Sequence, residues 1–134
     1  MGALEILLVE DNPGDVRLVQ EAFKESSLLY HLNVVSDGIE ALSLLRKADC
    51  DSEVSRPNVI LLDLNLPRKN GLEILDEVKS DQSLKDIPII VLTSSDRDLD
   101  VLVAYKRQAS AYLLKPTTLG EFDEVIDAIT TLCQ

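Results

Sequence analysis

The chain alternates short apolar runs with longer amphipathic stretches. Four runs of mostly apolar residues cover positions 4–9, 59–62, 87–92 and 109–114, and polar residues follow each of them. The run at 59–62 is too short for a good helix and shows no alternation, which is typical of a strand buried on both faces, as parallel sheets require. The other three runs also indicate strands. A weaker run over residues 32–36 indicates an edge strand. The pattern therefore predicts five strands.

Apolar residues at helical spacing follow each strand and predict five helices. Capping residues mark four of the helix starts: Asn12 with Pro13, Asp37 with Glu40, Asn70 with Gly71, and Thr118 with Glu121. We expect the fourth helix at residues 98–107 and a polar surface loop at residues 47–57. The residues expected to face the core are Val16, Val19, Ala22, Phe23, Ile39, Leu42, Leu45, Leu72, Ile74, Leu75, Val78, Phe122, Val125, Ile126, Ile129 and Leu132.

The order of these elements predicts an α/β fold. Strand and helix alternate five times, and right-handed crossovers between parallel strands then give a single doubly wound (βα)5 domain, a five-stranded parallel sheet with helices on both faces. A length of 134 residues fits one domain. We therefore expect residues 1–134 to form that domain, with no output domain.

The strong strands stop on residues that can carry chemistry. The first ends on Glu10 and Asp11, the central one on Asp63, the next on Thr93 and the last on Lys115. Each residue has an ordinary explanation alone, such as helix capping or a surface charge. Because ligands bind outside the carboxyl ends of strands in open α/β sheets, we expect all five to share one crevice.

Three carboxylates in one crevice call for a cation. Two like charges about 4 Å apart cost about 4 kcal/mol at an effective dielectric near 20, so the carboxylates must protonate, move apart or bind a metal. Oxygen ligands with no His or Cys beside them favour a hard ion, and an open site with few protein ligands favours Mg²⁺, for which Mn²⁺ can substitute. The sequence therefore predicts a magnesium site at Glu10, Asp11 and Asp63.

The charges of this site predict phosphoryl chemistry. With one Mg²⁺ and the Lys115 ammonium, the three carboxylates are neutralised and the site can accept a further anion. A phosphoryl group on Asp63 would be held by Mg²⁺, by Lys115 and by the Thr93 hydroxyl, with the carboxylate as nucleophile.

Composition narrows the range of partners. A formal net charge of −11 argues against direct binding of nucleic acid or of an anionic membrane, because both need basic patches. Charges interrupt every apolar stretch before it reaches the length of a membrane span, and no targeting segment is evident. Cys50 and Cys133 are far apart and outside any CxxC motif, which predicts free thiols and a cytoplasmic location.

The chain resembles the response-regulator receiver domains of two-component signalling over nearly its whole length. The resemblance is carried by residues 9–13, 63–67, 70–71, 92–95 and 115–116. Residues 15–22 and 64–75 are most similar to single-domain regulators that partner cyanobacterial phytochromes. The resemblance implies a CheY-like fold and a phosphorelay switch that accepts its phosphoryl group from a sensor histidine kinase, of phytochrome type and in light signalling.

The resemblance also implies a role for each metal-site residue. Asp63 would be the phosphoacceptor, and Asp11, Asp63 and the backbone carbonyl of Asn65 would ligate Mg²⁺, with Glu10 holding a metal-bound water. The side chains of Asn65 and Ser95 lie where such domains tune hydrolysis of the acyl phosphate.

Two further residues would report the phosphorylated state. The Thr93 hydroxyl would swing onto the phosphoryl group and Tyr112 would change rotamer in response, although an aromatic in a strand is equally consistent with a static core residue. Lys115 would bind the phosphoryl oxygens, and the bond between Lys115 and Pro116 would be cis.

The predicted fourth helix departs from the family pattern. Gln108 stands where such domains usually have Gly, which puts the usual output geometry in doubt, because a left-handed C-cap with a side chain is strained by about 1 kcal/mol. Val101 and Tyr105 fall outside the main apolar stripe. They predict a homodimer surface formed by the fourth helix, fifth strand and fifth helix, or else scattered surface residues.

Two other functions compete with the switch. A Mg²⁺-dependent phosphatase with an aspartyl-phosphate intermediate usually has a second carboxylate two residues after its nucleophile, where this chain has Asn65. A flavodoxin-like nucleotide or flavin carrier needs a phosphate loop after the first strand, where Glu10 and Asp11 would repel a phosphate.

Overall fold

The computed structural model describes residues 3–50, 56–64, 71–94 and 109–133. The elements in chain order are β1 (Leu4–Val9), α1 (Pro13–Glu25), β2 (Tyr30–Val35), α2 (Gly38–Cys50), β3 (Val59–Asp63), α3 (Gly71–Ser80), β4 (Ile89–Thr93), β5 (Ala111–Leu114) and α4 (Phe122–Leu132). Of the helices in these ranges, none has the length and apolar content needed to cross a bilayer. The α/β fold class is confirmed.

The five strands form one parallel sheet in the order β2-β1-β3-β4-β5. All residues of β3 and β4 are buried, as expected for strands covered on both faces, and β2 is an edge strand as the sequence predicts. The register aligns Val9 with Leu62, and Asp63 with Leu92. The residues that follow β1 and end β3 and β4 therefore lie at nearly the same height on the sheet.

The core has two layers, one on each face of the sheet. Helices α2 and α3 pack on one face, and α1 and α4 on the other. The sheet contributes alternate residues to each layer, so Leu7 and Val9 lie in the first and Ile6 and Leu8 in the second. This packing holds the carboxyl ends of the strands rigidly side by side.

The helix starts follow the capping residues. The Asn12 side chain accepts a hydrogen bond from the Asp15 N–H at 3.1 Å, and Asp37 Oδ1 accepts one from the Glu40 N–H at 2.8 Å. The Thr118 hydroxyl accepts one from the Glu121 N–H at 3.3 Å, but this bond lies in the turn before α4. The N-caps of α1 and α2 are therefore confirmed, and the last helix begins slightly later than the capping box indicates.

Two sequence predictions about α2 are wrong. Ile39 is 49% exposed, because it lies roughly 110° around the helix from the centre of the buried stripe formed by Ala41, Leu42 and Leu45. The predicted loop at residues 47–57 begins too early, since α2 continues to Cys50. The prediction failed because a polar stretch is typical of a solvated helix end as well as of a loop. Residues 51–55 of the predicted loop lie outside the described ranges.

Smaller differences concern strand boundaries. Strand β2 begins at Tyr30, before the predicted position, whereas β4 and β5 begin at Ile89 and Ala111, each two residues after it. The Cys133 thiol is free, as expected, and its burial raises its pKa. The predicted helix at residues 98–107 lies outside the described residues.

Helix α3 starts in close contact with the end of β3. The Gly71 N–H donates to the Leu64 carbonyl at 2.9 Å, and a Cβ on Gly71 would lie 2.6 Å from the Asp63 carbonyl oxygen. A Cβ on Gly120, in contrast, would meet nothing within 4 Å. The glycine at position 71 therefore lets the helix approach the strand end that carries Asp63.

We predict that Gly71→Ala lowers the free energy of unfolding by about 1–3 kcal/mol, because the methyl group forces backbone apart in a packed region. Gly120→Ala is the matched control and should change stability by less than about 0.5 kcal/mol. Urea denaturation of both variants measures the difference. Equal stabilities would contradict the close approach at Asp63.

Candidate functional site

The carboxyl edge of the sheet gathers the residues that the sequence singles out. Glu10 follows β1, Asp63 ends β3, Thr93 ends β4 and Lys115 follows β5. The Lys115 N–H donates to the Thr93 carbonyl at 2.7 Å, which extends the pairing of β4 and β5 by one residue and fixes the lysine backbone beside the central strands.

Three carboxylates form a cluster at this edge. Glu10, Asp11 and Asp63 each place an oxygen within 4.8 Å of the others. Glu10 is only 3% exposed and Asp63 5%, whereas Asp11 is exposed. The donor set is oxygen alone and one side opens to solvent, which fits a hard divalent ion that keeps several waters.

Lys115 neutralises part of this cluster. Its Nζ lies 2.6 Å from Glu10 Oε2, 2.8 Å from Asp15 Oδ2 and 3.5 Å from Asp63 Oδ2. The lysine and the phosphoacceptor candidate are therefore neighbours, but the two short contacts go to the other carboxylates.

Asp15 is a site residue that the sequence did not reveal. Its position in the first turn of a helix has an ordinary explanation, because acidic residues there oppose the helix dipole. A signal was present nonetheless: α1 follows Asp11 almost directly, so its first turn must lie at the same edge of the sheet as the acidic cluster.

The charges of the cluster shift two pKa values. Burial lowers the pKa of Lys115, but hydrogen bonds to Asp15 and Glu10 and the charge of Asp63 outweigh it, so the net pKa is raised and the side chain stays an ammonium. Burial raises the pKa of Glu10, against the lowering effect of its hydrogen bonds with Lys115 and the Asn12 N–H. The hydrogen bonds thus offset part of the cost of burying this carboxylate, and the net pKa of Glu10 stays raised.

The two residues expected to switch occupy different places. Thr93 is fully buried at the end of β4. Tyr112 is half-buried on β5, packs against the α2 and α3 core layer, and accepts a hydrogen bond from the Ala109 N–H at 3.2 Å through its hydroxyl. A rotamer change of Tyr112 stays a prediction, and so does the cis bond between Lys115 and Pro116.

Several predicted residues lie outside the described ranges. They are Asn65 and Ser95, which would tune hydrolysis, Asn65 again as a metal ligand, and Asn70, Val101, Tyr105 and Gln108.

A five-stranded parallel sheet with an acidic cluster and a lysine at its carboxyl edge is the arrangement of a receiver domain. Residues 6–127 match the sequence profile of the response regulator receiver domain. The chain therefore belongs to the response regulator receiver family of two-component signalling.

The chain is similar to several named members of this family. The chain is 42% identical to response regulator Rcp1 of Synechocystis sp. over 124 residues, which are 92% of this chain and 84% of that protein. It superposes with a TM-score of 0.80 on the phosphorylated cyanobacterial phytochrome response regulator RcpA, at 41% identity over 96% of this chain and 91% of that one. The Mn²⁺-bound form of Rcp1 gives a TM-score of 0.75 at 40% identity over 97% and 89%.

We predict that Lys115→Met lowers the free energy of unfolding by about 2–4 kcal/mol near pH 8 in the presence of EDTA, because it leaves buried carboxylates without their cation. Burial already raises the pKa of Glu10 in the folded state, and loss of Lys115 raises it further. The folded variant then binds protons more tightly than the unfolded chain does, so lowering the pH stabilises it. The decrease in its free energy of unfolding should therefore become smaller toward pH 5.

Urea unfolding near pH 5 and near pH 8 measures this dependence. Lys85→Met, at an exposed lysine outside the site, is the control and should show no comparable change. If Lys115→Met lowered the free energy of unfolding equally at both pH values, the role assigned to the ion pair would be contradicted.

Proposed function

We propose that this receiver domain accepts a phosphoryl group on Asp63 from a sensor histidine kinase in a Mg²⁺-dependent reaction. One observation carries the proposal: the buried Asp63 carboxylate belongs to the acidic cluster and lies 3.5 Å from the Lys115 ammonium. A carboxylate placed there would be next to two sources of positive charge, the lysine and a metal ion held by the cluster. This is what a transferred phosphoryl group requires.

The metal would be held by the clustered carboxylates. Asp11 and Asp63 would ligate Mg²⁺ directly and Glu10 would hold a metal-bound water, while the Asn65 carbonyl lies outside the described residues. Glu10 Oε2 pairs with the Lys115 ammonium and Oε1 accepts a hydrogen bond from the Asn12 N–H, and a second lone pair on each oxygen can accept from that water. When bound, Mg²⁺ supplies positive charge to the phosphoryl oxygens.

Asp63, Lys115 and Thr93 would each have a separate role in the reaction. An Asp63 oxygen attacks phosphorus, the bond from phosphorus to the histidine nitrogen of the kinase breaks, and the product is an acyl phosphate. Lys115 would pair with the phosphoryl oxygens and the Thr93 hydroxyl would donate a hydrogen bond to them. The chain would thus catalyse its own phosphorylation and, with water as nucleophile, its own dephosphorylation.

The phosphatase alternative is not favoured. Asn65 occupies the position where such enzymes usually carry their acid or base, and membership of the receiver family indicates a signalling role. A switch consumes a small phosphodonor only until it is loaded, whereas an enzyme turns over continuously.

We predict that acetyl phosphate with Mg²⁺ adds one phosphoryl group to the protein, as measured by intact mass. Asp63→Asn should add none, because the amide is not a nucleophile, and EDTA should reduce the uptake at least about tenfold, because charge stabilisation contributes most of the catalysis. Asp127→Asn, at an exposed aspartate of α4, is the matched control and should behave as the parent protein. Phosphorylation that survives in Asp63→Asn would refute the assignment.

We infer that the kinase partner is of phytochrome type and that the pathway is light signalling. The support is the similarity to Rcp1 and to the phytochrome regulator RcpA. An autophosphorylated phytochrome-type histidine kinase should transfer its phosphoryl group at least about tenfold faster than an unrelated kinase at equal concentrations, which a radiolabelled transfer assay measures. Equal transfer rates would contradict this partner.

A second copy of the chain is the other partner that we infer. β5 is an edge strand of half-buried residues with Leu114 exposed, and it borders α4, which is the predicted fifth helix. This described part of the predicted dimer surface is therefore free to contact a second copy. Val101 and Tyr105, which the sequence places on the same surface, lie outside the described residues. Sedimentation at increasing protein concentration, with and without phosphorylation, tests the dimer. The cytoplasmic location stays a prediction.

A further inference from the structure

We propose that Asp15 is a positioning residue that competes with the phosphoryl group for the Lys115 ammonium and must release it when Asp63 is phosphorylated. The inference rests on the proposed function and concerns the same site. It starts from the three carboxylate contacts of one lysine.

Two carboxylates hold the ammonium of Lys115 by short contacts in the unphosphorylated site. The ammonium has three protons to donate. The Nζ atom lies 2.6 Å from Glu10 Oε2 and 2.8 Å from Asp15 Oδ2, both strong hydrogen bonds, and 3.5 Å from Asp63 Oδ2. Phosphoryl oxygens on Asp63 can take over the long third contact, but a second hydrogen bond from this lysine to them requires the release of one of the two short contacts.

Burial decides which carboxylate leaves. Glu10 is 3% exposed and its other oxygen accepts a hydrogen bond from the Asn12 N–H, so turning it away would place a charge in the core. Asp63 carries the phosphoryl group itself. The Asp15 side chain is 37% exposed, so its carboxylate can rotate into water at little cost.

The net charge of the site also favours the release of Asp15. Four carboxylates lie at this edge of the sheet: those of Glu10, Asp15 and Asp63 contact the Lys115 ammonium, and Asp11 belongs to the same acidic cluster, so a bound divalent ion still leaves about one excess negative charge. A phosphoryl group adds more. Movement of Asp15 toward solvent is the change that restores the balance.

The consequence is a tuning element on the first turn of α1. Asp15 holds the lysine while the site is empty of phosphate and opposes the arrival of an anionic phosphodonor. Its removal should therefore make phosphorylation easier, in contrast to removal of Lys115 or Asp63, which should abolish or weaken it.

The test compares Asp15→Asn with Asp15→Glu and Asp123→Asn. Asparagine keeps the size of the side chain and the backbone N–H that caps α1, and removes only the charge. Glutamate keeps the carboxylate. Asp123 is an exposed first-turn aspartate of α4, so its substitution reproduces the effect on a helix dipole without touching Lys115.

Two quantities are measured at Mg²⁺ concentrations that saturate the melting-temperature shift of each protein. The first is the rate of phosphoryl uptake from acetyl phosphate, followed by intact mass. The second is the concentration of beryllofluoride, an unreactive phosphoryl mimic, that gives half of its maximal rise in melting temperature.

Asp15→Asn should raise the rate and lower the beryllofluoride concentration, each on the order of threefold to tenfold, as expected for one charge removed near an incoming anion. Asp15→Glu and Asp123→Asn should stay within about twofold of the parent protein. A purely structural role of Asp15 would lower the melting temperature and leave both quantities unimproved.

The outcomes separate this inference from the proposed function. If the parent protein is phosphorylated and Asp15→Asn matches Asp123→Asn in both measurements, the competition is refuted and the function stands. A slower Asp15→Asn also refutes it. If no protein is phosphorylated but beryllofluoride binds more tightly to Asp15→Asn, the proposed function fails and the competition for Lys115 is supported.

Discussion

The site depends on the cost of holding several carboxylates together at the edge of a packed sheet. Glu10 and Asp63 are almost completely buried, and each carries a charge that the core cannot solvate. Within the described part of the chain, the Lys115 ammonium offsets this cost. The same carboxylates that it neutralises stabilise its own charge. The cluster and the lysine therefore form one electrostatic unit, which stays acidic enough to attract a divalent cation.

The parallel sheet is what makes that crowding unavoidable. Helices cover both faces of β3 and β4, so the strands are held in fixed register and their carboxyl ends cannot separate to relieve repulsion. The close approach of Gly71 to the Asp63 carbonyl adds a further restraint on the same strand end. A rigid scaffold thus keeps the Asp63 carboxylate in a crowded acidic environment, which additional positive charge would stabilise.

A balance of this kind suits a switch better than an enzyme with continuous turnover. Ion pairs with Lys115 hold the site, and in the mechanism that we propose a phosphoryl group on Asp63 would compete with them for the same ammonium. The half-exposed Asp15 and the buried Glu10 contribute unequally to this competition, because only the former has water to move into. In the proposed switch, differences in burial among residues of like charge would decide which contact is released.

The sequence alone determined the fold class and most of the site. Uninterrupted apolar runs specify strands buried on both faces, and in a parallel sheet their final residues must share an edge, so Glu10, Asp63, Thr93 and Lys115 could be placed together without coordinates. Periodicity was weaker for helix faces and ends: it misplaced Ile39 and the end of α2, because one apolar residue near a cap or a polar helix end fits more than one geometry. Only the tertiary structure decided that Asp15 reaches Lys115 and that Glu10, not Asp63, holds the shortest contact with it. Those distances depend on how α1 packs against the sheet, and no local pattern in the chain encodes them.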